Sequence, residues 1–167
     1  MAQVTVRDAE LGDVAQIVQF VRDLALLEKE PESARGSEAD FRAALFPTEG
    51  APTAYALIGE IDGAPAGMAL WYLTFSTWEG RPGIHLEDLY VDPAARGSGL
   101  GGALLRRLAA ICAERDYRRL EWSVLRWNTP AIDFYNALGA TPQDGWLGYR
   151  LDGDALTRVG HRCLRGD

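Results

Sequence analysis

At 167 residues, 47% of them hydrophobic, the chain suits a single domain over residues 1–167 with a sizeable core. Its formal net charge of -7 argues against sequence-independent nucleic-acid binding, which needs a basic surface to displace counterions, and it suits a cationic small molecule. No run approaches the ~18 apolar residues of a membrane span, and residues 1–7 lack signal-peptide organisation, so no membrane partner and a cytoplasmic location are expected. Cys112 and Cys163 are too few and too scattered for a disulfide framework or a metal site; a reducing compartment and no metal are expected.

In chain order, Val4 and Val6 open a short strand, and Asp13 stands where it would cap a helix whose Val14, Ile17, Val18, Val21, Leu24 and Ala25 recur at helical spacing. Glu28, Lys29, Glu30 and Pro31 end that helix. Ser37 and Asp40 then have capping-box spacing for a second helix through Leu45. Residues 54–61 and 66–73 read as a hairpin about the Asp62-Gly63 turn, and residues 84–91 as the next strand, ended by Asp92-Pro93. A helix over 103–111, a strand over 120–125 and a helix from Asn128-Thr129-Pro130 to Ala137, stopped by Gly139, follow. Residues 146–151 alternate as a final strand, and a helical tail begins at Asp154. The order is a meander that switches to βαβ, hence an α/β fold with a mixed sheet.

The most distinctive stretch is a glycine-dense loop, Arg96, Gly97, Ser98, Gly99, Leu100, Gly101 and Gly102, set between the Asp92-Pro93 break and a helix. The first-turn N–H groups of that helix lack intrahelical partners, and the glycines allow close approach, so the loop suits a pyrophosphate. Gly97-x-Gly99-x-x-Gly102 formally matches the dinucleotide fingerprint. However, Asp92-Pro93 separates strand from loop, and Glu121, the sought ribose acid, falls near the start of its strand. A nucleotide triphosphate loop needs Gly-Lys-Ser/Thr, and Gly101-Gly102-Ala103 stands there instead. What remains is an Arg-x-x-Gly-x-Gly pattern, or a turn that merely lets helix and strand pack closely.

That pattern resembles the GCN5-related N-acetyltransferase (GNAT) superfamily. The resemblance extends to Arg7-Asp8-Ala9, Leu27-Glu28, Trp71-Tyr72, Ser76-Thr77-Trp78-Glu79-Gly80, Leu86-Glu87-Asp88, Trp127-Asn128, Ile132-Asp133-Phe134-Tyr135 and Leu138-Gly139-Ala140, in the order seen in diamine and thialysine N-acetyltransferases. It implies a single-domain, mostly antiparallel central sheet flanked by helices and splayed around the cofactor strand. It also implies acetyl-CoA as co-substrate and a homodimer joined through its C-terminal strand. By the same resemblance Leu89, Tyr90 and Val91 pair with the pantetheine arm, residues 96–102 hold the pyrophosphate, and Asn128, Thr129, Pro130, Ala131 and Leu138 border the cofactor. Asn128 also suits a plain helix cap.

Acyl transfer to an amine poses three problems. An alkylammonium has a pKa of about 10.4, so a base must free its lone pair. Glu87 matches the family base, and the alternative is that it only attracts the cation. Negative charge on the thioester oxygen needs donors, which amides near Leu89, Tyr90 and Val91 supply if a bulge or splay frees them. The leaving thiolate needs a proton, and Tyr135 matches the family acid; the alternative is a core tyrosine with its hydroxyl at the surface. By resemblance Leu27, Glu28, Glu87, Glu121, Trp122, Ser123 and Asp144 contact the amine, with Trp78 or Trp146 nearby. Thr77 stands where polyamine acetyltransferases carry an acid, which shifts the expectation to a thialysine-like amino acid or short amine over a long polyamine. A protein N-terminus, a ribosomal protein or a drug as acceptor, and a non-catalytic acyl-CoA sensor, are the competing readings.

Overall fold

The computed structural model describes residues 2–165, the side chains of 162–165 excepted, so Cys163 lies outside the described side chains. Two compact units divide the chain, Met1–Ser123 and Val124–Asp167. The first holds a five-stranded sheet in the order β1 (Val4–Asp8), β2 (Tyr55–Ile61), β3 (Ala64–Ser76), β4 (Arg81–Val91), β5 (Leu120–Trp122). All pairings are antiparallel except β4 with β5, which gives the mixed, mostly antiparallel sheet that the sequence implies. Asp62 and Gly63 both have positive φ (52° and 81°), the geometry that a two-residue hairpin between right-twisted strands requires.

One face of the sheet is covered by α1 (Val14–Leu27) and α2 (Glu38–Leu45). There Ile17, Phe20 and Leu45 close a core with Ala56, Ile58, Met68, Leu70 and Tyr90. The other face carries α3 (Leu100–Glu114), which buries Leu100, Leu104, Leu105, Leu108 and Ile111. Gly59 and Gly67 make room for Leu100: a Cβ on Gly59 would lie 2.7 Å from its Cδ1. Ser37 and Asp40 form the capping box expected for α2. Asp13 precedes α1 but makes no side-chain cap, because its carboxylate is already taken by the Glu10 N–H at 2.7 Å and by Arg7, also at 2.7 Å. Arg7 reaches Glu60 as well, tying β1 to β2 and to the start of α1, and holds the Asp13 carboxyl below its ordinary range.

The second unit contains α4 (Thr129–Ala137) and α5 (Gly153–Arg165), with Gly139 at φ 85° just past the end of α4. Two expected strands are corrected. Residues 146–151 form no strand: Trp146, Leu147 and Tyr149 are exposed, and the described residues of this unit offer no strand to pair with. The strand expected over 120–125 ends at Trp122, because β5 pairs only with Ile84, His85 and Leu86 and the register of β4 breaks at the next residue.

Candidate active site

The break in β4 organises the first unit's chemistry. Leu70 pairs with Asp88 and Trp71 with Leu86, which leaves Glu87 as the extra residue of a β-bulge. Leu70 belongs to the core on the α1 side, and Tyr72, two residues on, stacks on His85 with ring centroids 5.0 Å apart. His85 and Asp88 therefore face α1, and the bulge brings Glu87 to that side too. The apolar residues of β4 record the slip in the sequence: Ile84 and Leu86 alternate, then Leu89 and Val91, with three positions instead of two between Leu86 and Leu89.

Beyond the bulge, no strand among the described residues pairs with β4 on the edge away from β3. The Asp92 N–H donates to the Ala66 carbonyl at 2.9 Å, so ladder alternation aims the N–H groups of Leu89 and Val91 away from β3. On that edge β5 has already stopped. Tyr90 is not among these outward donors: by the same alternation its N–H faces β3, and its ring is buried on Phe20 at 5.1 Å.

The glycine loop lies just past this edge. Gly97 (φ 81°) and Gly99 (φ 86°) are left-handed, a conformation that costs other residues about 1–2 kcal/mol. Ser98 Oγ accepts from the Leu100 N–H at 3.3 Å, and the Ala103 N–H reaches the Gly99 carbonyl at 3.0 Å. By helix geometry the first-turn amides of Gly101 and of the buried Gly102 have no intrahelical partner at the head of a fifteen-residue helix, an arrangement suited to an anion that a helix dipole reinforces. Arg96 is exposed beside it, whereas the Leu100 side chain is in the core.

Among the amine-site residues, Glu28 and Glu87 both come within electrostatic reach of a third carboxylate, Asp88. Glu28 is the C-cap of α1, directly after Leu27, and burial raises its carboxyl. Glu87 is exposed, 3.8 Å from His85 Nε2. Asp88, to which the motif match assigns no role, is pushed up to about 6 by burial and by the charges of Glu87 and Glu28. Two consecutive acids at a slipped strand alternation were its sequence signal.

Other expected residues of the first unit are not gathered there, and the remainder belong to the second unit. Trp78 is 90% exposed at the tip of the β3–β4 hairpin, and the strand from Arg81 to Glu87 alone spans roughly 20 Å. Glu121 pairs in register with His85, but its carboxylate is held 2.8 Å from Arg119; Trp122 ends β5 and Ser123 is exposed after it. In the second unit Asn128 Oδ1 caps α4 by accepting from the Ala131 N–H at 3.4 Å, with Thr129 and Pro130 opening the helix and Leu138 at its C-cap. Tyr135 is half-buried on α4, its ring 5.4 Å from that of Phe134, and Asp144 is exposed in a turn. Cys112 is buried in α3, where desolvation raises its thiol, the opposite of what a nucleophile needs.

Residues 18–140 match the acetyltransferase (GNAT) family. This chain belongs to that family. The GNAT chain is 37% identical over 170 residues to the thialysine N-epsilon-acetyltransferase of Bos taurus, covering 95% of this chain and 98% of that protein. It is 29% identical over 161 residues to the spermidine/spermine N(1)-acetyltransferase-like protein 1 of Homo sapiens, covering 90% of this chain and 23% of that one. Among solved structures, an integron cassette protein from the mobile metagenome of V. cholerae superposes with a TM-score of 0.77 at 22% identity, covering 94% of this chain and 97% of that one, a likeness of fold. The GNAT chain is thus an acyltransferase that moves acetyl to an amine.

Proposed function

We propose that this GNAT enzyme, a single N-acetyltransferase domain over 1–167, transfers acetyl from acetyl-CoA to the primary amine of a short cationic substrate, a thialysine-like amino acid or a diamine. The observation that carries this reading is the trio of carboxylates, Glu28, Glu87 and Asp88, on the α1 side of β4, next to strand amides left free by the bulge. A cation offsets what that trio costs, and the likeness to a thialysine acetyltransferase along 95% of the chain supports an amine of that kind.

In this reading the amides of Gly101 and Gly102, with Arg96 beside them, receive the pyrophosphate, and the Leu89 and Val91 amides face the pantetheine and the thioester oxygen. Acetyl-CoA supplies an acyl group with a thiolate leaving group of pKa near ~8.5. Glu87 meets the ammonium and, on its motif, takes its proton. Tyr135 is assigned on its motif as the acid for the thiolate. Thr129, Pro130, Ala131, Asn128 and Leu138 border the cofactor by the same motif match, and Leu27, Glu121, Trp122, Ser123 and Asp144 the amine. A cytoplasmic homodimer completes the reading.

The test is a panel of thialysine, lysine, putrescine, spermidine and short peptides, with acetyl-CoA and thiol release as readout. The expected ranking puts thialysine or a short diamine above spermidine, since Thr77 removes one anchor for a long cation. Preference for peptides over every free amine would replace the acceptor, and thioester binding without turnover would make the chain a sensor.

A further inference from the structure

We infer that Asp88 takes the proton the amine must lose while Glu87 anchors the cation, so that two adjacent carboxylates divide what the motif match assigns to Glu87 alone. The inference rests on the amine-acetylation reading above.

The geometry carries it in three steps. First, an unbroken strand would put residues 87 and 88 on opposite faces. The bulge, with Leu70 opposite Asp88 and Trp71 opposite Leu86, puts both carboxylates on the α1 side. Second, the two differ in setting. Glu87 is exposed and 3.8 Å from His85, with Tyr72 of β3 near enough to feel its charge. Asp88 is half-buried, its carboxylate makes no hydrogen bond or ion pair to any described residue, and the charges acting on it are acids: Glu87 from its own strand and Glu28 from the C-cap of α1. A desolvated carboxylate among like charges is the arrangement that makes a good proton acceptor near neutral pH, whereas an exposed one is a better electrostatic anchor. Third, Asp88 is next in sequence to Leu89, whose N–H points out of the open edge of β4. The proton acceptor and the oxyanion donor thus come from neighbouring residues of one strand.

The step balances. An ammonium N–H bond breaks, its proton going to Asp88, and the freed lone pair forms the C–N bond at the acyl carbon. The C–S bond breaks with its electron pair on sulfur. The nitrogen's second proton ends on the thiolate, and Asp88 passes its own proton to water. Each turnover gives one amide, one thiol and one proton.

The experiment is kcat/KM against pH, by thiol release, for the wild type, Asp88→Asn, Asp88→Glu and Glu87→Gln with the best amine of the panel. The wild type is expected to lose activity on an acid limb centred near pH 6, where Asp88 titrates. Asp88→Asn is expected to fall about 100-fold or more and to lose that limb, with partial recovery in Asp88→Glu. Glu87→Gln is expected to keep the limb, moved to lower pH because a like charge is gone, and to show its loss mainly as a raised amine KM. An Asp88→Asn enzyme with the wild-type limb, or a Glu87→Gln enzyme without one, overturns the division of tasks while leaving amine acetylation standing. A wild type that turns over no free amine overturns both.

Discussion

At the scale of single residues, Asp88 carries opposed demands of folding and chemistry. Its carboxyl sits at about 6 in the fold against an ordinary 3.8, so the folded chain binds that proton more tightly than the unfolded chain does. Stability is therefore greatest with Asp88 protonated, declines as pH rises between those values, and reaches its full penalty above about pH 6. At ~1.4 kcal/mol per pKa unit the penalty is on the order of 2–3 kcal/mol, less what residual solvent exposure screens. Asp88→Asn removes it. By calorimetry, the variant is expected to melt roughly 4–8 °C above the wild type at about pH 8, with a smaller gain at about pH 5. A loss at pH 8 would mean that the ionised carboxylate is held by a partner after all, and an equal gain at both would mean that the cost does not come from its ionisation. Stability gained and activity lost in one variant is the signature of a group held for its chemistry.

The elements show how far local pattern reaches. Two apolar runs about the Asp62-Gly63 turn located β2 and β3, a further run ended by Asp92-Pro93 located β4, the spacing of Val14, Ile17 and Val18 located α1, and the Ser37–Asp40 box located α2, because each pattern is written by the faces that the element buries. The glycine loop was legible for a similar reason: Gly97 and Gly99 sit at backbone angles that other residues resist. Residues 146–151 alternate just as well and form no strand, since alternation says nothing about whether a sheet edge is available to pair with. The acidic trio was only partly legible, because the burial of Asp88 depends on where the C-terminus of α1 lies. Gly67 marks the place where element packing and site meet. A Cβ there would lie 2.6 Å from the Tyr90 carbonyl oxygen, a backbone atom in the strand that carries the free amides. At Gly59 the same atom would meet the flexible end of Leu100 instead. Gly67→Ala is expected to cost about 1–3 kcal/mol in urea unfolding and to raise the acetyl-CoA KM, with Gly59→Ala milder on both counts. The reverse ranking would mean that the end of β4 yields more easily than the core around Leu100.

For the whole molecule the governing quantity is charge. A chain of net charge -7 must admit a polyanionic thioester and a cationic amine. In the proposed reading the loop meets the first demand mostly with neutral donors, the Gly101 and Gly102 amides, so local dipoles and not net charge would hold the pyrophosphate. In the same reading the amine is served by the opposite arrangement, ionisable carboxylates on a chain of net charge -7, whose attraction would extend about one Debye length, ~10 Å at 0.1 M salt. Added salt is therefore expected to act on the two substrates in opposite senses. Between about 0.05 and 0.5 M salt the amine KM is expected to rise several-fold, more for a dication than a monocation, while the acetyl-CoA KM holds or falls as repulsion from the acidic surface is screened. Steady-state kinetics with each substrate varied in turn separate the two. An amine KM indifferent to salt would place recognition in apolar or hydrogen-bonding contacts and point to an acceptor that is not a small cation, whereas a rising acetyl-CoA KM would make Arg96, rather than the loop amides, the principal holder of the pyrophosphate.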